Sequence, residues 1–320
     1  MTFLLRGFGI KLVMIFPRHT VLMVLLASSG VVIAAESFTV ATFNVENYFI
    51  RKFGTRPVKS EISRAKVAEA IAAIRPDVLA LQEMGRPAAL LDLRQRLKAK
   101  GLDYPHHEWV IGPDPAIHLA VLSRFPIIKT NSHTNVIYLL DRRRFKVSRG
   151  FGEIQLRVND KYEFTLLNAH LKSKRQVPVA SEAEMRLSEA RALRTIIEAR
   201  LKAHPDLNVL VVGDLNDTPG SRPIRGLIGS KAPRLVDLRP FERSGEKLAG
   251  LKNRKINSRR ITWTSFFQKE DSYSRFDYIL AGAGMARELD RKGTYVHAMA
   301  GWGVASDHRP VVARFVAEDR

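Results

Sequence analysis

The stretch Val209-Leu210-Val211-Val212-Gly213-Asp214-Leu215-Asn216 joins a short apolar run directly to a polar motif. Four consecutive aliphatic residues that end at a glycine predict a short, buried β-strand. The polar residues that follow would be costly at the end of a buried strand unless they are hydrogen-bonded or bind a ligand. This stretch therefore indicates a fold whose chemistry lies at the ends of its strands.

Three other apolar runs end in the same way, in amide, carboxylate or imidazole side chains. Phe38–Phe43 leads into Asn44-Val45-Glu46, Val78–Leu81 into Gln82-Glu83, and Phe164–Leu167 into Asn168-Ala169-His170. In addition, Asp277 opens a further strand-like run and Asp307-His308 precede the last one. If these strands share an edge of adjacent sheets, we expect the polar side chains to converge in one pocket.

The rest of the pattern predicts strands interleaved with helices. Further strand-like runs are Leu119–Leu122, Ile154–Val158, Ile261–Phe267, Tyr278–Leu280 and Val311–Phe315. A two-residue loop, Asn159-Asp160, predicts a hairpin. Apolar spacing and capping residues predict one helix that ends before Pro76, one that begins at Pro87 and ends before Gly101, and one that begins after Ser181. Long helices combined with hairpins indicate an α/β sandwich rather than a purely parallel sheet.

Composition and charge narrow the class of protein. The chain has 320 residues, 45% of them hydrophobic and 26% charged, as in an average globular protein and unlike a disordered basic tail. With no cysteine it can form neither a disulfide framework nor a thiolate zinc site. The 52 Lys and Arg against 32 Asp and Glu give a net charge of +20, which favours a polyanionic partner such as nucleic acid or an anionic lipid surface.

The first 35 residues have the features of a secretory signal. Arg6, Lys11 and Arg18 precede the apolar run Val21–Ala35, which ends in two alanines. We predict a signal peptide at residues 1–35 followed by a catalytic domain at residues 36–320, in a periplasmic or secreted protein. An uncleaved segment would instead anchor the protein in the inner membrane. Residues 36–320 keep 49 Lys and Arg against 32 acids, so the signal does not explain the charge.

The residue types at the strand ends suit hydrolysis that depends on a hard metal ion. Carboxylate and amide oxygens are ligands for Mg²⁺, Mn²⁺ or Ca²⁺ rather than for a soft metal. The imidazoles of His170 and His308 suit proton transfer near neutral pH. Each residue alone has an ordinary structural explanation, such as an Asx turn for Asn44 or a helix-terminal carboxylate for Glu83. Their shared position after strand runs favours a common site.

In order along the chain, these motifs resemble the endonuclease/exonuclease/phosphatase superfamily. The motifs are Phe43-Asn44-Val45-Glu46, Leu81-Gln82-Glu83, Asn168-Ala169-His170-Leu171, Gly213-Asp214-Leu215-Asn216, Arg275-Phe276-Asp277-Tyr278 and Ser306-Asp307-His308. Each is weak alone, but all of them in family order, over Phe38 to Phe315, are specific. The resemblance implies a four-layer αββα sandwich of two mixed, largely antiparallel sheets, with a Mg²⁺-dependent phosphoesterase site at one edge.

The resemblance also implies roles for individual residues. It places the metal on Glu83 with Asn44 beside it, and gives Asp307 to a second metal or to a metal-bound water. The catalytic group comprises His308, which activates water or stabilises the phosphorane, its orienting partner Asp277, the positioning pair Asp214 and Asn216, and His170 as general acid. We further predict that the substrate contacts Arg149, Asn168 and Lys172. The motifs support a functional role least at Arg149 and Glu46.

Several clusters of basic residues guide the choice of substrate. Arg142, Arg143, Arg144, Lys146 and Arg149 lie close together, Lys172, Lys174 and Arg175 follow His170, and Phe241–Arg260 is a basic segment. Contacts of this kind bind phosphates without sequence preference. His170 and the absence of a counterpart to the mid-chain Tyr of apurinic-site endonucleases favour the deoxyribonuclease or sphingomyelinase side of the family. We therefore predict a non-specific endonuclease that cleaves DNA and also RNA.

Two other functions remain open from the sequence. The first is a sphingomyelinase-like or small-phosphoester phosphodiesterase whose basic groups meet an anionic phospholipid surface. No aromatic hairpin or amphipathic helix for insertion into lipid is evident in the sequence, which weakens this alternative. The second is a catalytically silent module that binds nucleic acid or a surface, against which the complete motif set argues. Nothing in the sequence indicates an oligomer.

Overall fold

A computed structural model describes residues 36–242 and 262–320. Its seventeen strands in these ranges are β1 (Ser37–Tyr48), β2 (Val78–Met84), β3 (His106–Val110), β4 (His118–Ser123), β5 (Ile127–Thr130), β6 (Ile137–Leu140), β7 (Arg143–Lys146), β8 (Phe151–Asn159), β9 (Tyr162–His170), β10 (Val209–Asp214), β11 (Val236–Asp237), β12 (Phe241–Glu242), β13 (Ser265–Phe267), β14 (Ser272–Ser274), β15 (Asp277–Ala281), β16 (Leu289–Val296) and β17 (Val311–Val316). The predicted signal segment and residues 243–261 of the basic segment lie outside the described residues.

Six α-helices complete the described ranges: α1 (Glu61–Ile74), α2 (Pro87–Ala99), α3 (Glu182–Ala203), α4 (Arg222–Ile228), α5 (Ala283–Arg287) and α6 (Trp302–Ala305). The three helices predicted from the sequence are α1, α2 and α3. The hydroxyl of Ser181 accepts a hydrogen bond from the Glu184 backbone N–H and so caps α3 as predicted. No helix in residues 36–242 and 262–320 is long and apolar enough to span a bilayer.

The strands form two large mixed sheets. The first has the order β12-β16-β17-β1-β2-β4-β3, and the second has the order β11-β15-β10-β9-β8-β5. Most neighbours are antiparallel, but β1 pairs with β2, β9 pairs with β10 and β12 pairs with β16 in parallel. The predicted hairpin between β8 and β9 is present, although its turn residues are Asp160 and Lys161 rather than Asn159 and Asp160. Parallel neighbours bring the carboxyl ends of β1, β2, β9 and β10 to an edge of their sheets.

Three apolar clusters make the fold a four-layer sandwich. The two sheets face each other across a core in which the stacked rings of Phe38 and Phe164 lie 5.1 Å apart. Helices α1 and α2 cover the outer face of the first sheet through residues such as Ile71 and Leu93. Helix α3, with α4, covers the outer face of the second sheet through residues such as Leu193. The αββα architecture is thus confirmed.

Candidate active site

Strand register places three of the predicted site residues side by side at the edge of the second sheet. Asp214, the last residue of β10, pairs with His170 on the parallel strand β9. On its other side Asp214 pairs with Asp277, the first residue of the antiparallel strand β15. These residues are distant in the sequence, and the strand register brings them side by side on adjacent strands.

Gly213 allows β10 to reach this position. Its φ of +132° lies in a region that residues with a side chain rarely adopt. A Cβ at this position would overlap the backbone carbonyl oxygen of Ala169 on β9. Glycine is therefore required immediately before Asp214, which gives a structural reason for the Gly-Asp pair that the sequence alone presents as a turn former.

Asn44 and Glu83 reach the same edge from the first sheet. The Asn44 amide donates to Glu83 Oε1 at 3.3 Å and to Asp214 Oδ2 at 3.0 Å. Asn44 is 1% exposed, so its amide lies between the two sheets and links them. The second Glu83 oxygen accepts the Asn47 backbone N–H at 2.9 Å. Hydrogen bonds therefore fix the Glu83 carboxylate from two sides.

Several residues at this edge have a left-handed backbone. Glu46, Asn47, Glu83 and Asn216 have φ values of 46°, 49°, 62° and 54°. Such conformations cost of the order of 1 kcal/mol or more for residues with a side chain, and they persist where surrounding contacts impose them. At Asn216 those contacts are bonds from its backbone N–H to Asp214 Oδ1 and from its amide to the Leu171 carbonyl, both at 2.9 Å.

His308 is held between two carboxylates. Its Nδ1 lies 2.7 Å from Asp277 Oδ2, and its Nε2 lies 3.7 Å from Asp214 Oδ2. Burial alone would lower the pKa of His308, but Asp277 and Asp214 raise the pKa well above its usual value. Ser306 anchors this segment, since its hydroxyl accepts the His308 backbone N–H and donates to the Asn44 carbonyl at 2.7 Å.

His170 has a different electrostatic environment. Its Nε2 lies 3.5 Å from Asp214 Oδ2 and 4.0 Å from Glu83 Oε1. Burial, followed by the charge of Arg149, lowers the pKa of His170 well below its usual value. Its buried Nδ1 has no hydrogen-bond partner among the described residues. At this site, the surroundings therefore favour the protonated imidazole at His308 and the neutral imidazole at His170.

The oxygen atoms at this edge suit a divalent cation. Partial burial and neighbouring negative charges raise the pKa of Glu46 and of Asp307, whose neighbours include the carboxylate of Glu83. Lys59, 3.6 Å from Glu46 Oε2, offsets part of this charge. Carboxylates whose charge is only partly compensated, together with an amide, match the ligand preference of Mg²⁺ or Mn²⁺. The residues present thus fit the predicted metal.

A second arrangement of metal-ligating atoms occurs in the same pocket. Single ligand atoms of Asp214, Asp277 and His308 all lie within 4.8 Å of one another, and all three residues are buried. The close contact of His308 Nδ1 with Asp277 already uses one of these atoms for a hydrogen bond. We therefore regard the group of Glu83, Asn44 and Asp307 as the candidate metal site and the buried group as its proton-holding neighbour.

The predicted substrate-contacting residues differ in what they touch. Asn168 is fully buried, and its amide donates to the backbone carbonyls of Leu81 and Ala120 in the opposite sheet. It therefore joins the two sheets, and its contact with substrate stays a prediction. Lys172 Nζ donates to the carbonyls of Ser173 and Arg175 within its own loop. These bonds stabilise the loop and direct the ammonium group toward it.

Two further basic residues from the predicted clusters, Arg149 and Lys174, lie at or beside the site. Arg149, 8% exposed, donates to the Leu171 carbonyl at 3.5 Å and is close enough to His170 to affect its pKa. Lys174 Nζ lies 4.7 Å from the centre of the Phe276 ring, next to Asp277. By contrast, Arg143–Lys146 form the largely exposed strand β7, which pairs with β6 in a separate ribbon. Arg149 therefore acts on His170, Lys174 lies beside Asp277, and the Arg143–Lys146 cluster lies on another ribbon.

The sequence did not single out Arg186 and Glu189, which lie behind the site on α3. Glu189 Oε2 accepts the Lys172 backbone N–H at 2.6 Å, and Arg186 donates to the Lys172 carbonyl at 3.0 Å. Arg186 also bonds Asp217, while Glu189 accepts the backbone N–H of Ser148. Both residues lie on the buried stripe of α3, and a charged residue on an apolar stripe is the signal that could have identified them.

The structure also contains an aromatic hairpin beside the site that the sequence did not predict. Strands β13 and β14 form it, and a bridge between Ser265 and His308 attaches it to the site. Phe267 is 47% exposed and Tyr273 is 54% exposed. The ring of Trp263 lies against Tyr273 and Trp302, with centroids 4.9 Å apart in each pair. The expectation that the chain lacks such a hairpin is wrong.

Comparison with solved structures shows the same fold at low sequence identity. The truncated TDP2 of Caenorhabditis elegans has a TM-score of 0.59 and 16% identity, with coverage of 88% of this chain and 98% of that one. The catalytic domain of human nocturnin, with a bound sulfate anion, has a TM-score of 0.60, 18% identity and coverage of 87% and 94%. Sphingomyelinase C from Streptomyces griseocarneus has a TM-score of 0.56 and 17% identity, with coverage of 88% of this chain and 99% of that one. No curated protein sequence matches this chain.

The fold alone does not identify the reaction class, since one fold can host several chemistries. A match to a family model identifies it. The model of the endonuclease/exonuclease/phosphatase family matches residues 41–308. That range begins in β1 just before Asn44 and ends at His308, so it contains the whole pocket around Asp214. With its αββα sandwich and its polar edge, the chain belongs to the endonuclease/exonuclease/phosphatase family of metal-dependent phosphoric ester hydrolases.

Proposed function

We propose that this protein is an exported, divalent-metal-dependent phosphodiesterase that cleaves DNA, and also RNA, without sequence preference. The observation that carries the proposal is the arrangement around Asp214 Oδ2. This oxygen lies 3.0 Å from the Asn44 amide, 3.5 Å from His170 and 3.7 Å from His308. A carboxylate in this position can orient a water molecule while groups on either side contact a phosphate.

Glu83, Asn44 and Asp307 would hold the metal ion, and His308 and Asp214 would share the proton chemistry. When bound, the ion supplies positive charge to the phosphate oxygens. The protonated His308, held by Asp277, adds charge stabilisation from the opposite side. Asp214, whose pKa burial raises, accepts the proton of the attacking water. The resemblance left two roles open for His308, and these contacts favour stabilisation of the phosphorane.

His170 and Asn216 complete the reaction. The water oxygen attacks phosphorus, and the P–O bond to the leaving oxygen breaks with its electron pair on that oxygen. Burial and the charge of Arg149 lower the pKa of His170 and favour its neutral form in the free protein, but the negative charge of a phosphate beside it favours protonation. The protonated His170 then donates its proton to the leaving oxygen. Asn216, fixed by Asp214 and Leu171, positions the phosphate.

The proposal is tested by assaying the full chain with Mg²⁺ or Mn²⁺ against plasmid DNA, RNA and sphingomyelin in parallel. We expect nucleic-acid cleavage that falls with rising salt, because phosphate contacts release counterions. Glu83→Gln serves as the inactive control. Cleavage of neither nucleic acid under any of these conditions would contradict the proposal.

The aromatic hairpin favours a second candidate, a phosphodiesterase that acts at a phospholipid surface. Phe267 and Tyr273 are exposed on β13 and β14, which adjoin His308. The turn between these strands contains Lys269, Glu270 and Asp271, so it brings no net positive charge toward an anionic lipid. Hydrolysis of sphingomyelin without cleavage of DNA or RNA in the parallel assay would establish this candidate instead.

Export is the part of the proposal that rests on the sequence alone. The basic residues and the apolar run before Glu36 carry it. N-terminal sequencing of the protein recovered from the periplasm or the medium tests it, with a new terminus near Glu36 as the expected result. Recovery of the intact chain in the inner-membrane fraction would indicate an anchor.

A further inference from the structure

A basic groove lies between α3 and α4, outside the pocket around Asp214. It is open and has a volume of about 530 Å³. Five of its lining residues are cations and one is an acid: Arg191, Arg194, Arg222, Arg225 and Lys231 against Glu198. Such an excess of one charge in a concave surface concentrates ligands of the opposite charge.

Three of the five cations are available to a ligand. Arg194 is committed to the fold, since it pairs with Glu198 and donates to the carbonyls of Leu227 and Ile228. Arg222 pairs with Glu184 at 3.1 Å. In the part of the chain that the structure describes, Arg191, Arg225 and Lys231 are exposed and form no ion pair.

The shape of the groove suits a chain of phosphates better than a membrane. Gly226 forms part of its wall, and a Cβ added there would meet no atom within 4 Å. The apolar lining residue Leu187 is buried at 5% exposure, so no large apolar side chain in the groove is available to enter a lipid layer. A concave surface with guanidinium groups and without exposed apolar anchors matches a phosphodiester backbone.

The groove is close to the active site along both helices. Arg186 and Glu189 contact the loop after His170, and Arg191 follows Arg186 by about 8 Å along the axis of α3. Arg222 begins α4 six residues after Asn216. A polynucleotide that extends from the pocket can therefore reach the groove within a few nucleotides.

We propose that this groove binds the phosphate backbone of the nucleic-acid substrate at a distance from the bond that is cleaved. The proposal rests on the proposed nuclease function, because it names where the same substrate makes its additional contacts. Arg191, Arg225 and Lys231 each contact one phosphate, and no base is read. The groove thus adds affinity and salt dependence without adding sequence preference.

Gly226 offers a matched pair of variants for the test. Gly226→Glu places a negative charge in the groove, and Gly226→Gln places a neutral side chain of the same size there. Neither residue meets a steric obstacle at its Cβ. Affinity for a fluorescein-labelled DNA oligonucleotide is measured at several salt concentrations in EDTA, so that no cleavage occurs. Hydrolysis of bis(p-nitrophenyl) phosphate with Mn²⁺ reports on the catalytic pocket without using the groove.

We expect Gly226→Glu to bind the oligonucleotide about tenfold more weakly than Gly226→Gln at 0.1 M salt, with a plot of log K against log salt that is less steep by about one. Hydrolysis of the small diester should stay equal in the two variants. Arg225→Gln should weaken oligonucleotide binding in the same direction.

Equal affinities and slopes for the two Gly226 variants, with DNA cleavage intact, would overturn the groove proposal alone. Absence of nucleic-acid binding and cleavage in the unmodified protein would overturn the proposed function as well. Weaker binding of Gly226→Glu to phosphatidylserine vesicles, with unchanged oligonucleotide binding, would assign the groove to a membrane and contradict the proposal.

Discussion

His308 Nδ1 and Asp277 Oδ2 lie 2.7 Å apart, with Asp277 fully buried. This contact fixes the orientation of the imidazole and leaves its Nε2 directed toward Asp214. A buried carboxylate that accepts from one ring nitrogen also stabilises the charged imidazole. The pair therefore determines both where the second ring nitrogen points and how much charge it carries.

Asp277→Asn should lower kcat for bis(p-nitrophenyl) phosphate by about a hundredfold or more, because His308 loses the charge that stabilises its protonated form. KM should change much less, since Asp277 contacts no substrate in this arrangement. Asp77→Asn is the control, because Asp77 bonds Thr39 at the start of β1, at the other end of the strand from Asn44. Equal kcat values for the two variants would contradict the role given to Asp277.

Glu83→Gln should abolish metal-dependent activity and also the rise in melting temperature on addition of Mn²⁺. A metal ion that binds only the folded protein stabilises it by RT ln(1 + [L]/Kd), where [L] is the free metal concentration. The loss of metal binding in Glu83→Gln is therefore detected without measuring turnover. The amide keeps the acceptor for the Asn47 N–H, which preserves the backbone near Asn44. A melting temperature that still rises with Mn²⁺ would show that the metal binds elsewhere, as in the group of Asp214, Asp277 and His308.

Glu189→Gln tests whether α3 positions the catalytic loops. The carboxylate accepts backbone N–H groups on both oxygens, whereas an amide has one acceptor oxygen, so one buried N–H loses its partner. We expect a loss of about 1–3 kcal/mol in the free energy of unfolding. We also expect a fall in kcat at temperatures where the variant is fully folded.

Glu153→Gln provides the comparison for Glu189. Glu153 is also buried, at 6% exposure, and bonds Arg200 and His133, with no contact to a proposed catalytic residue among the described residues. It should lose stability without losing kcat. If both variants lose stability alone, the part played by Glu189 is structural and does not extend to catalysis.

Gly213→Ala should prevent the protein from folding or lower its melting temperature strongly. The added Cβ would overlap the Ala169 carbonyl, and a φ of +132° is unfavourable for alanine. Gly226→Ala is the control, because its Cβ meets open space within α4 and should raise stability by about 0.5–1 kcal/mol. Similar melting temperatures for the two variants would contradict the packing described for β9 and β10.

The sequence predicts the layers of this fold well because its central strands are continuous apolar runs. Strands such as β10 bury every residue, and no other element type explains so short a run that ends at a glycine. Strands β3 and β16 were missed because they lie near or at the margins of the first sheet and mix exposed and buried positions. Their pairing depends on neighbours that are distant in sequence.

The sequence predicted site residues where a motif ends a central strand. It could not predict which groups those side chains meet in the opposite sheet. Asn44 and Asp214 come together because the two sheets pack, and their motifs mark both residues. Asn168 has the same kind of motif and also points between the sheets, but its amide bonds the backbone carbonyls of Leu81 and Ala120. The group that faces each side chain in the opposite sheet separates these cases, and sequence order does not contain it.

Glu288 should make the stability of the protein depend on pH. Its side chain is 1% exposed and accepts the hydroxyl of Tyr162. Burial raises the pKa of Glu288 to about 7, although the bond from Tyr162 lowers it. The folded protein therefore binds this proton more tightly than the unfolded chain. The resulting stabilisation is complete below the unfolded pKa near 4.5 and is lost as the pH rises to about 7.

Urea unfolding of the unmodified protein and of Glu288→Gln at pH values from 5 to 8 measures this contribution. The difference between the two free energies isolates Glu288 from the other titrating groups. A neutral amide does not ionise as the pH rises. The free energy of unfolding of Glu288→Gln should therefore increase relative to that of the unmodified protein, by about 2–3 kcal/mol over the range. Two curves that run parallel would mean that the Glu288 carboxylate is as well solvated in the folded protein as in the unfolded chain, which its burial beside Tyr162 argues against.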